Sequence, residues 1–125
     1  MQNLGVRYGK APMHETSIVQ ALLEQVESQA RAHKASSVQK VTLRLGELAG
    51  VEAELLVTAF DVYREQTVAR GAALEIVRVP ALYRCPRCSR EVARGGFLQC
   101  PDCSVGARLI AGDEIVLERL ELEVD

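Results

Sequence analysis

The 125-residue chain has no tryptophan, and its only aromatic residues are Tyr8, Phe60, Tyr63, Tyr83 and Phe97. Leucine, valine, isoleucine and alanine must therefore fill any core. No apolar run approaches the roughly 20 residues that a membrane-crossing helix needs. The opening stretch MQNLGVRYGKAP lacks the apolar segment of a signal peptide. These absences predict a cytoplasmic protein without membrane contact. There is no basic excess either: 15 Lys and Arg against 17 Asp and Glu leave a formal charge of -2. That balance argues against general nucleic-acid binding. No phosphate-binding loop and no nucleophile–base pair at recognisable spacing are present, so the chain does not read as an enzyme. Histidine is limited to His14 and His33, and all four cysteines fall between residues 85 and 103.

Residues 1–12 show no periodicity and read as a loose lead-in. Ile18, Val19, Leu22, Leu23, Val26 and Ala30 then recur at helical spacing, which predicts a helix over about 15–33. Val41, Leu43 and Leu45 alternate with Lys40, Thr42 and Arg44, the pattern of a half-buried strand over about 38–45. A second helix is expected over about 52–69, with Leu55, Leu56, Ala59, Phe60 and Tyr63 on one side. ALEIVRV (73–79) and the tail after residue 113 read as two more strands. The expected fold is α+β: two helices packed on a three-stranded sheet, with an inserted zinc-ribbon-like module. In this reading residues 13–80 and 113–125 form one domain. Residues 81–112 bud from it between two paired strands, and 1–12 are an extension or an artefact.

The module carries CPRC and CPDC, two Cys-x2-Cys knuckles separated by eleven residues. Each knuckle aims two thiolates at one point, and two facing knuckles complete a tetrahedron suited to zinc. Gly95 and Gly96 would permit the reversal between them. A thioredoxin-like redox centre uses a single pair, and two disulfides would require an oxidising compartment. Iron takes the same four thiolates and stays open on spacing alone. A closed shell of four thiolates leaves no site for a substrate, so Cys85, Cys88, Cys100 and Cys103 read as structural ligands. Arg84, Arg87, Arg90, Arg94 and Arg108 surround them against Glu91 and Asp102. This supports a second reading, a zinc-ribbon interaction module that binds an acidic protein or nucleic acid.

MHE at Met13 to Glu15 precedes the first helix. An imidazole with neighbouring backbone amides suits square-planar nickel or copper, although a single histidine before a helix is more often simply exposed. His33 fits the negative end of the first helix. Residues 13–125 resemble the HypA/HybF family of hydrogenase nickel-insertion proteins. The resemblance rests on MHETSIVQALLEQV, VTLRLGELAGV, FDVYREQT, LEIVRVP, the two knuckles and GDEIVLERLELE, in that order. It implies a nickel metallochaperone that carries Ni(II) to the large-subunit precursor of [NiFe]-hydrogenase. A HypB-type GTPase would be its partner, and urease with its accessory proteins a further client in some organisms. It further implies that His14 is the main nickel ligand, helped by Glu15 and the backbone nitrogen of Met13, and that the four cysteines hold structural zinc. Glu47 and Glu52 are candidates to support His14 from behind. In the family Met-His-Glu begins the protein and its free amine joins the nickel, whereas here Met13 follows Pro12 in a peptide bond. Nothing in the sequence selects between a monomer and a homodimer.

Overall fold

A computed structural model describes residues 2–8, 15–93 and 97–125. In chain order the elements are β1 (Gln2–Tyr8), α1 (Glu15–Ala32), β2 (Ala35–Gly46), α2 (Ala53–Tyr63), β3 (Ala73–Val79), β4 (Leu82–Arg84), β5 (Glu91–Val92), β6 (Arg108–Ala111) and β7 (Ile115–Val124). Two sheets result. The larger has the order β1-β7-β2-β3, and the smaller, in the cysteine segment, has the order β5-β4-β6. The α+β class with two helices on a sheet is as expected.

The apolar stripe of α1 is fully used: Ile18, Leu22 and Val26 have no exposed surface, and Val19, Leu23 and Ala30 are buried beside them. Glu15 sits in the first turn and Arg31 in the last, both favourable to the helix dipole. The His33 ring Nδ1 donates to the Gln29 carbonyl at 2.9 Å, and Lys34 turns the chain at φ 55°. Strand β2 then runs back under the helix. Val41, Leu43 and Leu45 are completely buried on its helix side, each contributing about 2 kcal/mol by burial. On its other side Lys40 pairs with Glu75 and Glu121, and Arg44 with Glu114 and Glu118, at 3.4–4.0 Å. Apart from Arg44–Glu114, whose carboxylate is only 9% exposed, these pairs are partly solvated and contribute under about 1 kcal/mol each.

Three expectations change. Residues 2–8 are not a loose lead-in: they form β1, antiparallel to β7, with Gly5 at φ 112° and a register shift between Asn3 and Val6. The sheet therefore has four strands. The strands flanking the cysteine segment, β3 and β7, do not pair with each other. After the α2 crossover β3 takes one edge of β2 in parallel, and β7 takes the other edge antiparallel. The two interior positions of the sheet thus go to β7 and β2, where Val41, Leu43, Leu45, Ile115, Leu117 and Leu120 are buried. Helix α2 is also shorter than its apolar pattern: it ends at Tyr63, followed by a 3-10 turn at Arg64–Gln66. Leu56, Ala59 and Phe60 are buried, but Leu55 and Tyr63 are 48% and 42% exposed.

The cysteine segment leaves β3 and re-enters β7 across the end of β2. Leu48 N–H donates to the Gly112 carbonyl at 2.6 Å, Gly46 N–H to Glu114 at 2.7 Å and Glu47 N–H to Val79 at 2.8 Å. Gly46 and Gly112 lie against each other; a Cβ on Gly46 would come within 2.3 Å of the Gly112 oxygen. A Cβ on Gly112, whose φ is 108°, would meet the Ala81 Cα at 2.5 Å. Gly46→Ala is expected to cost more than about 2 kcal/mol, because backbone faces backbone and cannot give way. Gly71→Ala, with no heavy atom within 4 Å of the added methyl, should stay within about 0.5 kcal/mol of the parent. Chemical denaturation measures both; equal midpoints would show that the junction is not closely packed.

Candidate functional site

The two knuckles are conformational copies. In the first, Ser89 N–H donates to the Cys85 carbonyl at 3.0 Å and Cys85 N–H to the Arg90 carbonyl at 2.8 Å. In the second, Ser104 N–H donates to Cys100 and Cys100 N–H to Val105, both at 2.9 Å. Ser89 and Ser104 both adopt the left-handed backbone that closes each turn, at φ 64° and 54°. The cysteine spacing alone predicts the knuckles; the serine repeated in CPRCS and CPDCS is a further mark of this geometry. Gly95 and Gly96, assigned to the reversal between knuckles, lie outside the described residues, as does Arg94. Arg90 and Asp102 form an ion pair that links one knuckle to the other.

Together the knuckles place the four sulfur atoms within 4.8 Å of one another, with Cys88 Sγ and Cys100 Sγ 3.8 Å apart. A tetrahedron with metal–sulfur bonds of 2.3 Å has sulfur–sulfur edges of about 3.8 Å. The separation is far beyond the roughly 2.05 Å of a disulfide, and all four cysteines are free thiols. Donor type, number and spacing therefore fit zinc. The electrostatics fit it too. The Cys88 amide, with that of Arg87 behind it, donates to Cys85 Sγ at 3.4 Å. It draws that thiol down to about 6, against the opposing effect of burial. Burial first, and the neighbouring sulfurs second, push Cys103 up to about 12. One sulfur is thus ready as thiolate, while another ionises only when a cation neutralises the cluster.

Around the sulfurs the apolar core is minimal: Cys85, Val92 and Cys100 are buried, and Tyr83, Cys103, Val105 and Ala107 pack on them. So small a cluster cannot fold the segment alone, and metal binding would supply on the order of 10 kcal/mol. Arg84, Arg87, Arg90 and Arg108 are exposed around it.

Met13 and His14 lie outside the described residues. The nearest elements on either side, β1 and α1, are described. Tyr8 is opposite Ile115, the first residue of β7. Glu15 opens α1, and its carboxylate accepts the Glu52 N–H at 3.4 Å at the start of α2. The ends of β1, β2 and β3 and the starts of α1, α2 and β7 thus converge on one pole of the sheet, from which the cysteine segment projects. Glu52 is brought beside Glu15. Glu47 is placed differently: its Oε1 accepts the Ala81 N–H at 2.7 Å and so ties the loop after β2 to the first residue of the cysteine segment. This amide-holding role of Glu47 has no mark in the sequence.

Comparison with known proteins agrees with this geometry. Residues 13–122 match the family described as hydrogenase/urease nickel incorporation, metallochaperone, HypA. The hydrogenase maturation factor HypA of Aquifex aeolicus is 42% identical over 115 residues, covering 90% of this chain and 100% of that protein. The protein of the same name from Dehalococcoides mccartyi is 37% identical over 113 residues, or 89% and 95% of the two chains. The solution structure of the Ni metallochaperone HypA from Helicobacter pylori superposes with a TM-score of 0.68 at 28% identity, covering 90% of this chain and all of that one. Strand β1 precedes the matched residues. With both helices, strands β2 to β6 and the four-cysteine cluster inside the match, the chain belongs to the HypA family of nickel-incorporation metallochaperones.

Proposed function

We propose that this protein binds Ni(II) as cargo at Met13, His14 and Glu15 and delivers it to the large-subunit precursor of a [NiFe]-hydrogenase. The observation that carries this reading is the family match, which begins at Met13 and runs through both knuckles. A HypB-type GTPase is the proposed partner and the cytoplasm the proposed compartment. No helix among the described residues is long and apolar enough to cross a membrane.

The start of α1 shapes the cargo site. A helix N-terminus carries partial positive charge and disfavours a bare cation. Nickel placed there needs anionic donors: the Glu15 carboxylate and deprotonated backbone amides beside the His14 imidazole. The same dipole eases amide deprotonation. The balance gives a site firm enough to hold the ion and weak enough to release it. Glu52, adjacent to Glu15, adds negative charge at the same pole.

Cys85, Cys88, Cys100 and Cys103 are the proposed zinc ligands of a separate domain, residues 81–112, attached to a body of 13–80 and 113–125 whose sheet β1 extends. Zinc, when bound, supplies a closed tetrahedral crosslink and no reactive position. A free-standing interaction module accounts for the matched residues poorly, since most of them lie in the body.

Two outcomes are expected. His14→Ala should lose nickel binding in calorimetric titration while elemental analysis still finds one zinc and no iron; unchanged nickel affinity would contradict the assignment. Apparent zinc affinity should rise with pH across the neutral range. The sign follows from Cys103, whose thiol, held at about 12, must shed a proton on binding, whereas Cys85, at about 6, is already ionised. Chelator competition at several pH values measures this, and a flat profile would show that no thiol ionises on zinc uptake.

A further inference from the structure

Strand β3 is the edge of the large sheet among the described residues: β2 pairs with one of its sides and nothing pairs with the other. An edge of seven residues presents a row of unpaired N–H and C=O groups spaced for an extended chain. Beside it runs a groove of about 450 Å³ lined by Ala53, Glu54, Val57, Leu74, Ile76 and Arg78. Val57 is 40% exposed at its wall. The cause lies in α2, whose apolar arc is wider than the face it buries. On one flank α1 packs against the helix; on the other, toward β3, Val57 is left without a neighbour of that kind.

The charges decide what fits. Leu74, Ile76 and Arg78 face the groove, while Glu75 and Val77 face the open side of the sheet. Arg78 is exposed and has no ion pair among the described residues. In an antiparallel pair, directly opposite residues share a face. A second copy related by a two-fold axis would set Arg78 opposite Leu74 or Ile76, or else set like charges opposite each other. Self-pairing is therefore disfavoured. A different strand avoids both conflicts if it carries an acid opposite Arg78, with Glu54 on the α2 wall the one like charge lining the groove, a base opposite Glu75 and apolar residues opposite Leu74, Ile76 and Val77.

We propose that the β3 edge and its α2 groove dock an extended peptide segment of another protein, with the pattern acidic–apolar–apolar–basic–apolar, as an added antiparallel strand. This surface lies apart from the cysteine cluster, and the proposal does not depend on the metal assignments.

The test uses the full zinc-loaded chain, 15N-labelled, titrated with acetyl-Thr-Glu-Val-Val-Lys-Val-Thr-amide. Amide shifts should be confined to Ala73–Val79 and the Val57 wall of the groove. The charge-swapped peptide Thr-Lys-Val-Val-Glu-Val-Thr should bind about tenfold more weakly, since two cross-strand pairs turn from attractive to repulsive. Val57→Asp, at an exposed position the fold does not need, should abolish the shifts. Equal binding of the two peptides, shifts elsewhere or no shifts would overturn the proposal. So would sedimentation of the free protein as a dimer that Val57→Asp dissociates, because a second copy would then be the occupant.

Discussion

At the end of β2 the chain allows no side chain. Gly46 lies against Gly112, and Gly112 against Ala81, all at distances that a single methyl group would violate. The rest of the architecture depends on that contact. It lets the segment from Ala81 to Gly112 leave the sheet and return within one strand width of where it left. It also lets β7 begin beside the end of β2, so that β2 becomes the central strand with Val41, Leu43 and Leu45 buried. Glu47 and Glu114 reinforce the junction through the amides of Ala81 and Gly112, each at 2.7 Å. Such short contacts hold the small lobe to the large one by backbone geometry rather than by apolar area. That suits a lobe with only Cys85, Val92 and Cys100 in its core.

The fold follows a division of labour between two kinds of cohesion. The large lobe is held by aliphatic burial: α1 and α2 cover one face of the sheet, and the other face is a ladder of exposed ion pairs. The small lobe has only Cys85, Val92 and Cys100 in its core, and metal–sulfur bonds, when zinc is bound, would stand in for the missing apolar area. Each lobe then offers a different metal chemistry. Four soft sulfurs in a closed tetrahedron favour an ion that stays. The proposed nitrogen and oxygen donors of Met13, His14 and Glu15 would favour an ion that can be passed on.

Much of this was legible in the residues. The stripe of α1 predicts its burial position by position, because a 3.6-residue period can serve only one face. The knuckle spacing predicts the sulfur cluster, because two residues between cysteines leave few ways to fold. What was hidden had physical causes. Strand β1 is broken by Gly5 at φ 112° and by a register shift, which erase the alternation that marks a strand. Helix α2 stops short of the expected residue 69 because the chain tightens into a 3-10 turn at Arg64–Gln66, a change that no apolar pattern marks. Adjacency in the chain suggests that β3 pairs with β7, whereas the two free edges of β2 take one strand each. Glu47 carried no mark distinguishing a metal-supporting acid from one that holds an amide.

The central claim is that two metals occupy two chemically distinct sites in one small chain. X-ray absorption at both metal edges, on protein loaded with one zinc and one nickel, tests it most directly. The account predicts four sulfur neighbours at about 2.3 Å around zinc and only nitrogen and oxygen neighbours around nickel. Sulfur scattering at the nickel edge would place the cargo in the cysteine cluster and contradict the account.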